Sequence, residues 1–305
     1  MTTATGVSHG AGSGAVVGTA FAPAKINLAL HVTGRRADGY HRLDTLVVFA
    51  DIGDTIEAIS APLAPEPVLE IVGPFAAGLD AGPDNLVLRA ARAYAAAGGR
   101  IDGLGLRLTK RLPVASGIGG GSADAAATLR LLMDIRPRSA PSGDMLALAT
   151  SLGADVPMCL RSRSLRATGI GEILAPVDGL PPLPMLLVNP GIGVSTPAVF
   201  KRLERPDNPA LSKFPAAFRD VIAVADWLGQ TRNDLEAPAI AALPVIAEVI
   251  DAVAASEGCR MARMSGSGAT VFGLFAGQAD AERAAGRIAA SHPGWWVAAT
   301  TAAAV

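Results

Sequence analysis

The sequence is poor in charged residues, in aromatic residues and in cysteine. Charged side chains account for 17% of the 305 residues and aromatic ones for 4%, whereas 50% are hydrophobic and the mean hydropathy is +0.38. The longest uncharged interior stretch, residues 179–200, contains five prolines and three glycines. Those residues interrupt the apolar helix of about 20 residues that crosses a bilayer, so no membrane partner is predicted.

The cysteines and the charge balance narrow the class of protein further. Cys159 and Cys259 form no CxxC motif, which argues against a disulfide framework or a thiolate metal site. The four histidines show no metal-ligand spacing, and a reduced, cytoplasmic setting fits. The net charge of −1 offers no electrostatic footprint for nucleic acid. We therefore expect a small-molecule substrate and a monomer or homodimer.

Hydrophobic periodicity divides the chain into an extension and two lobes. Residues 1–20 mix Gly, Ala, Ser and Thr without a basic start, which predicts a disordered extension. Strands and helices then alternate without a fixed repeat, which indicates two α+β lobes at residues 21–165 and 166–305. Turn and cap residues predict a hairpin around residues 34–39, Asp84 as the N-cap of a helix that ends at Gly98, and helices over 122–133, 144–152, 215–228 and 279–290.

A glycine-rich loop connects a predicted strand, residues 104–108, to a predicted helix. Four of the five residues 117–121 are glycine. Glycines allow successive backbone N–H groups to converge, and the helix start adds unpaired donors, so the loop suits an oligophosphate; the alternative is a flexible turn. No Gly-x-x-x-x-Gly-Lys-[Ser/Thr] occurs, and Ser122 replaces the third glycine of a dinucleotide-binding fingerprint. An ordinary P-loop and a Rossmann dehydrogenase are thereby excluded.

Two further segments complete a pattern. Residues 23–28, Pro-Ala-Lys-Ile-Asn-Leu, open the first strand, and residues 265–272, Ser-Gly-Ser-Gly-Ala-Thr-Val-Phe, lie near the C-terminus. Taken alone, Lys25 is compatible with a surface lysine, and the second segment with a hairpin turn. Together and in this order, the three segments resemble the signature of the GHMP kinases, the superfamily of galactokinase and of homoserine, mevalonate and phosphomevalonate kinases.

Four segments narrow this resemblance, namely residues 25–28, 36–41, 51–54 and 153–157. They are similar to the branch that uses ATP to phosphorylate the 2-hydroxyl of a cytidine diphosphate-linked methylerythritol in the non-mevalonate isoprenoid (terpenoid) pathway. The similarity extends from about residue 21 to the C-terminus. It implies a two-lobed α+β GHMP kinase fold, with a left-handed β-α-β unit in the N-terminal lobe and an α/β sandwich in the C-terminal lobe. The site is expected in the cleft between the lobes.

The resemblance implies that Asp155 and Lys25 perform the phosphoryl transfer. A hydroxyl is a poor nucleophile at neutral pH, so a carboxylate that takes its proton and an ammonium that stabilises the alkoxide-like state form a suitable pair. Without the family, Asp155 is more typical of a turn or cap residue, because Pro157 follows two positions later. Two other functions stay open. One is phosphorylation of another alcohol, and the other is a non-catalytic nucleotide-binding module, which needs no base at the γ-phosphate.

The resemblance assigns the nucleotide to the glycine-rich loop. Lys110 either reaches the nucleotide or is a surface lysine at a strand end, and Asp124 is interpreted as structural because a carboxylate suits the first turn of a helix. No protein ligand for magnesium stands out, so Mg²⁺ is predicted to bind mainly through ATP and water. The implied ATP-binding residues are Lys110, Pro113, Val114, Ala115, Ser116, Gly117, Ile118, Gly119, Gly120, Gly121, Ser122 and Ala123.

The resemblance also assigns the substrate side of the site. Tyr40 and Phe200 are implied to flank the cytosine ring, while His41 hydrogen-bonds to its edge. The alternative for Phe200 is a core aromatic of a short helix that begins near Thr196. Asn27 is implied to position the phosphates of the substrate or the neighbouring lysine, and Thr196 to act likewise.

Overall fold

The structure of the chain is a computed structural model that describes residues 14–62, 66–137 and 145–302. The described strands are Val16–Arg35 (β1), His41–Ser60 (β2), Leu69–Val72 (β3), Leu104–Thr109 (β4), Leu165–Gly169 (β5), Ile173–Pro176 (β6), Leu183–Asn189 (β7), Cys259–Met264 (β8), Val271–Phe275 (β9) and Trp296–Ala302 (β10). The described helices are Leu86–Ala96 (α1), Gly120–Ile135 (α2), Met145–Leu152 (α3), Val156–Arg161 (α4), Thr196–Lys201 (α5), Val221–Leu228 (α6), Glu236–Ala242 (α7), Val245–Ala254 (α8) and Gln278–Ser291 (α9).

A long antiparallel hairpin, β1 and β2, forms the backbone of the N-terminal lobe. Its turn contains Gly39 at φ 91°, a left-handed conformation that favours glycine, and the predicted hairpin is confirmed. The strand begins at Val16, earlier than expected. Residues 16–20, which the sequence assigns to a disordered extension, instead pair with residues 56–59 of β2. Residues 1–13 of that extension lie outside the described part of the chain.

The first sheet carries a β-α-β unit next to the hairpin. β3 and β4 are parallel neighbours, α1 connects them, and β4 pairs with β2. The left-handed sense of this unit stays a prediction. Asn85, not the predicted Asp84, caps α1, because Asn85 directly precedes the first helical residue and its side chain accepts from the backbone N–H of Val87 at 2.9 Å. The apolar faces of α1 and α2 share one hydrophobic core with this sheet.

The C-terminal lobe is built on the antiparallel order β10-β7-β9-β8. A bridge between Ala302 and Ala50 joins this sheet to β2, and a hydrophobic core that includes Ile26 and Phe272 fills the space between the hairpin and β9. β5 begins at Leu165 but pairs with β2, and β6 pairs with β5, so both extend the first sheet. The division into lobes at residue 165 stays a prediction. The lobes therefore share a core that holds segments from both ends of the chain together.

One helix of the C-terminal half begins well after its predicted first residue. The helix expected over residues 215–228 begins at Val221, because Asp220 accepts from the backbone N–H of Ala223 at 2.9 Å and so caps α6 there. The helix expected from residue 144 is described from Met145 onward. In the described ranges no helix is both long and apolar enough to cross a membrane.

Candidate active site

The structure brings Lys25 and Asp155 into direct contact. Lys25 lies in β1 and is 4% exposed, and its Nζ donates to Asp155 Oδ2 at 2.9 Å. Asp155 occupies the N-cap position of α4, yet its side chain caps no helix amide and is 40% exposed. Lys25 is therefore not a surface lysine, whereas Asp155 does take the expected turn and N-cap position but does not use its carboxylate as a cap. A buried ammonium instead faces a carboxylate that a ligand can reach.

The glycine-rich loop ends in a helix whose first amides are available to a ligand. α2 begins at Gly120, two residues before the predicted start, with Gly119 as its N-cap at φ 67°. The first helical bond runs from the N–H of Ala123 to Gly119 O at 2.8 Å, so the N–H groups of residues 120–122 have no acceptor within the helix. Three successive donors at the positive end of the helix dipole suit a phosphate.

Backbone contacts connect the three segments that carried the family resemblance. The backbone N–H of Lys25 donates to Ile118 O at 3.0 Å, which ties β1 to the glycine-rich loop. Gly117 has φ 74°, and a Cβ built on it would lie 2.5 Å from Gly268 O in the loop before β9. A side chain at residue 117 would separate the two loops, so glycine is required there by close approach as well as by conformation.

The three segments line a cavity of about 650 Å³. Lys25 and Asp155 border it together with the third segment. Ile118 and Ala123, which the sequence assigns to ATP binding, are instead 0% and 1% exposed within hydrophobic cores, so their side chains serve packing. The loop residues that line the cavity are Pro113, Val114, Ala115, Ser116, Gly117, Gly119, Gly120, Gly121 and Ser122.

Lys110 is buried in an ion-pair cluster. Its Nζ donates to Asp54 Oδ2 at 2.5 Å and to Asp124 Oδ2 at 2.8 Å, and the residue is only 4% exposed. The surface lysine left open by the sequence is therefore wrong. Burial lowers the pKa of Lys110, but the two carboxylates outweigh it and the net pKa is raised. Burial also raises the pKa of Asp124 to about 7, although Lys110 opposes that shift.

A second cavity, of about 840 Å³, adjoins the first on the side of Tyr40 and His41. The His41 ring stacks on Phe200, with ring centroids 4.9 Å apart and planes at 21°, while Tyr40 is 61% exposed. Burial, and secondarily the positive charge of Arg35, lowers the pKa of His41, which favours the neutral imidazole. Asp155 borders both cavities, so a single carboxylate is accessible from two adjoining binding spaces.

Asn27 and Thr196 sit at the junction with the third segment. The Asn27 backbone N–H donates to Ser265 Oγ at 3.0 Å, and its Nδ2 donates to Thr45 Oγ1 at 2.8 Å. Its Oδ1 is buried without a partner. Thr196 Oγ1 lies 2.7 Å from Ser267 Oγ. Asn27 lines the first cavity, and one of its two Nδ2 donors is engaged with Thr45.

One supporting residue, Asn233, was missed in the sequence. Its Nδ2 donates to Met264 O and Gly266 O, each at 2.8 Å, and so holds the loop before β9. The sequence feature that could have indicated this role is the polar run Arg232-Asn233-Asp234. In the structure Asp234 accepts from the N–H of Val32 in β1. Sequence patterns do not reveal this role, because Met264 and Gly266 are more than 30 residues from Asn233 along the chain.

Comparison with known proteins identifies the family. The family model for the GHMP kinases N terminal domain matches residues 85–163, and the one for the GHMP kinases C terminal matches residues 210–294. A 4-diphosphocytidyl-2-C-methyl-D-erythritol kinase of Paracoccus denitrificans is 57% identical over 281 residues, which cover 92% of this chain and 94% of that protein. The chain belongs to the GHMP kinase family.

Two further similarities extend over the whole GHMP kinase fold. A protein of the same name from Cereibacter sphaeroides is 54% identical over 279 residues, 91% of this chain and 96% of that protein. A crystal structure of 4-(cytidine 5'-diphospho)-2C-methyl-D-erythritol kinase superposes with a TM-score of 0.74 at 37% identity, covering 93% of this chain and 99% of that one. The predicted GHMP kinase fold is confirmed, and the chain is a kinase of this family.

Proposed function

We propose that this GHMP kinase is a 4-diphosphocytidyl-2-C-methyl-D-erythritol kinase, which transfers a phosphoryl group from ATP to the 2-hydroxyl of that substrate. The observation that carries the proposal is the position of Asp155, which borders both cavities and contacts Lys25 at 2.9 Å. A group that moves a proton between two bound reactants needs access to both. The names of relatives more than 50% identical support the choice of substrate.

In the proposed mechanism, Asp155 is the general base. Its carboxylate takes the proton of the substrate hydroxyl as that oxygen attacks the γ-phosphorus of ATP. The bond from the γ-phosphorus to the β,γ-bridging oxygen breaks, and ADP leaves with that electron pair. Lys25 holds the carboxylate in place and, as a buried positive charge, stabilises the developing alkoxide and the transferring phosphoryl group.

The nucleotide is proposed to bind in the first cavity. Its phosphates would accept hydrogen bonds from the N–H groups of residues 120–122 at the start of α2. In the described part of the chain, no group of three His, Cys, Asp or Glu side chains is placed to hold a metal ion. The carboxylates of Asp54 and Asp124 are paired with Lys110. We propose that Mg²⁺ enters with ATP and would be held mainly by phosphate oxygens and water, because this ion retains several waters and takes few protein ligands.

The cytidyl part of the substrate is proposed to bind in the second cavity. Tyr40, His41 and Phe200 supply the aromatic faces and ring N–H that a pyrimidine needs. Because His41 already stacks on Phe200, a cytosine between Tyr40 and Phe200 requires His41 to leave that ring or the cytosine to use its opposite face. Asn27, which lines the first cavity and follows Lys25 by two residues, is proposed to position the phosphates of the substrate or Lys25 itself.

A coupled ADP-release assay tests this function. Turnover is expected with the cytidyl substrate and not with methylerythritol phosphate, homoserine or mevalonate, and excess EDTA is expected to abolish it. Phe200→Ala removes a stacking surface worth about 1–3 kcal/mol, so the KM of the cytidyl substrate should rise about 5- to 150-fold. Phe218→Ala is the control, because Phe218 packs against Phe214 and Trp227 and borders neither cavity. Equal turnover with and without the cytidyl group contradicts the proposal.

A further inference from the structure

A second group of buried charges lies outside the Lys25–Asp155 pair. We call Asp54, Lys110 and Asp124 the charge cluster; they are 0%, 4% and 3% exposed. Asp54 belongs to β2 and Lys110 directly follows β4. Asp124 is the fifth residue of α2, because the helix begins at Gly120, and so lies beyond the first turn in which the sequence placed it. The ammonium of Lys110 therefore bridges two carboxylates that come from different elements.

The charge cluster reaches both ends of the glycine-rich loop. Asp54 Oδ1 accepts from the backbone N–H groups of Arg111 at 2.5 Å and Leu112 at 2.9 Å, the two residues that precede the loop. Asp124 follows the loop, within α2. Lys110 joins these two anchors through one nitrogen atom. The separation of the loop ends consequently depends on three side chains.

The first residue of α2 rests directly on this ammonium. A Cβ built on Gly120 would lie 3.0 Å from Lys110 Nζ, so backbone and ammonium are in close approach. Gly120 also carries the first of the three N–H groups, those of residues 120–122, that have no acceptor within the helix. A displacement of Lys110 would therefore move the donors that suit a phosphate.

The net charge of the cluster does not attract a phosphate. Two carboxylates face one ammonium, and because burial raises the pKa of Asp124 to about 7, the total charge near neutral pH lies between 0 and −1. Two of the three N–H donors of Lys110 are already engaged with carboxylates. The cluster as a whole thus carries no net positive charge, and its contacts with the loop indicate a contribution through geometry.

We propose that Asp54, Lys110 and Asp124 are positioning residues that hold the two ends of the glycine-rich loop so that the amides of residues 120–122 converge on the nucleotide phosphates. This inference rests on the nucleotide role proposed for the loop. Three buried charges are a costly way to stabilise a core, because apolar side chains of similar volume often stabilise it as well or better. A role in placing the loop accounts for charges at these positions.

Calorimetric titration with ADP tests the positioning role directly. The variants are Lys110→Met, Asp124→Asn and the combination of both, with thermal melts to establish folding. Arg107→Met is the matched control, because Arg107 lies on β4 three residues before Lys110 and likewise bridges two carboxylates, Glu70 at 2.8 Å and Glu57 at 3.5 Å, but borders neither cavity. If Lys110→Met does not fold, the isosteric Asp124→Asn decides the question.

Both single variants are expected to weaken ADP binding tenfold or more, and the double variant should bind no more weakly than either one. The KM of the alcohol substrate should change less than threefold, and Arg107→Met should keep wild-type ADP affinity. Folded variants with ADP affinity within threefold of wild type overturn the inference. Tighter binding in Asp124→Asn also overturns it, because a released Lys110 would then be a direct phosphate ligand.

The same titration separates this inference from the proposed function. A wild-type protein that binds no ADP removes the nucleotide role of the loop and the positioning role with it. A wild-type protein that binds ADP but does not phosphorylate the cytidyl substrate contradicts only the proposed substrate. ADP affinity of the variants then still decides whether the charge cluster positions the loop.

Discussion

Asp155→Asn is the substitution that separates the chemistry of the proposed site from its binding. The asparagine has the same shape, and its side-chain oxygen can still accept from Lys25 Nζ, which lies 2.9 Å from Asp155 Oδ2. What is lost is the negative charge and with it the ability to take a proton. The loop amides at residues 120–122 are untouched by the change.

The structure indicates how large the effect should be. Two unit charges 2.9 Å apart attract by about 6 kcal/mol at an effective dielectric constant of about 20, and by about 1.4 kcal/mol in bulk water. Because the Asp155 side chain is 40% exposed, the pair lies toward the weaker value, and we expect a loss of about 1 kcal/mol or less in unfolding free energy. Loss of a general base costs about 10²- to 10⁴-fold in turnover, or about 2.7–5.4 kcal/mol.

Steady-state turnover measures the loss of the general base, and ADP titration measures whether nucleotide binding is kept. We expect Asp155→Asn to lower kcat by about 10²- to 10⁴-fold and to leave nucleotide affinity within threefold, because the freed Lys25 charge still faces the phosphates. Asp220→Asn is the matched control, since Asp220 is also an N-cap residue and borders neither cavity. Its turnover should match wild type. Near-wild-type turnover in a folded Asp155→Asn protein removes Asp155 from the mechanism.

Two further predictions follow from close contacts. Lys25→Arg should lower kcat about tenfold or more in the ADP-release assay, because a Cβ built on Gly119 would lie 3.1 Å from Lys25 Cε, which leaves little room for a guanidinium; unchanged kcat contradicts this. Gly117→Ala should lower the unfolding free energy by about 2–4 kcal/mol in chemical denaturation, since φ is 74° and the new Cβ would lie 2.5 Å from Gly268 O. Gly286→Ala, within α9 and with nothing within 4 Å, should instead gain about 0.5–1 kcal/mol, and equal effects of the two contradict the argument.

Local elements were predictable where the chain carries a repeated pattern or a turn residue. The β1–β2 hairpin and the strand, loop and helix around residues 104–133 were predicted from alternating apolar residues and from glycines at the turns between elements. β3, β5 and β6 were not predicted, because four or five residues are too few for a periodic signal. The cap at Asn85 was assigned to Asp84, since two adjacent residues are both good caps and only the backbone conformation selects one.

The candidate site residues were proposed from the sequence through its resemblance to the family, but their burial and their ion pairs were not. Lys25 and Asp155 are 130 residues apart along the chain, and only the tertiary structure shows that their side chains are in contact, as the proposed catalytic roles require. Lys110 lies 56 residues from Asp54, and only their contact shows that this lysine, which lines the first cavity, belongs to a buried ion-pair cluster.

The sequence alone was sufficient for the class of fold, the glycine-rich loop and the exclusion of membrane-spanning and dinucleotide-binding alternatives. These properties depend on hydropathy and on the conformational preferences of residues that are close in sequence, so short segments of the chain are enough to predict them. Burial and charge pairing depend instead on residues that are distant in sequence. Tertiary contacts were therefore needed to show that Asp155 is accessible from two cavities and that Lys110 is not accessible as a free ammonium.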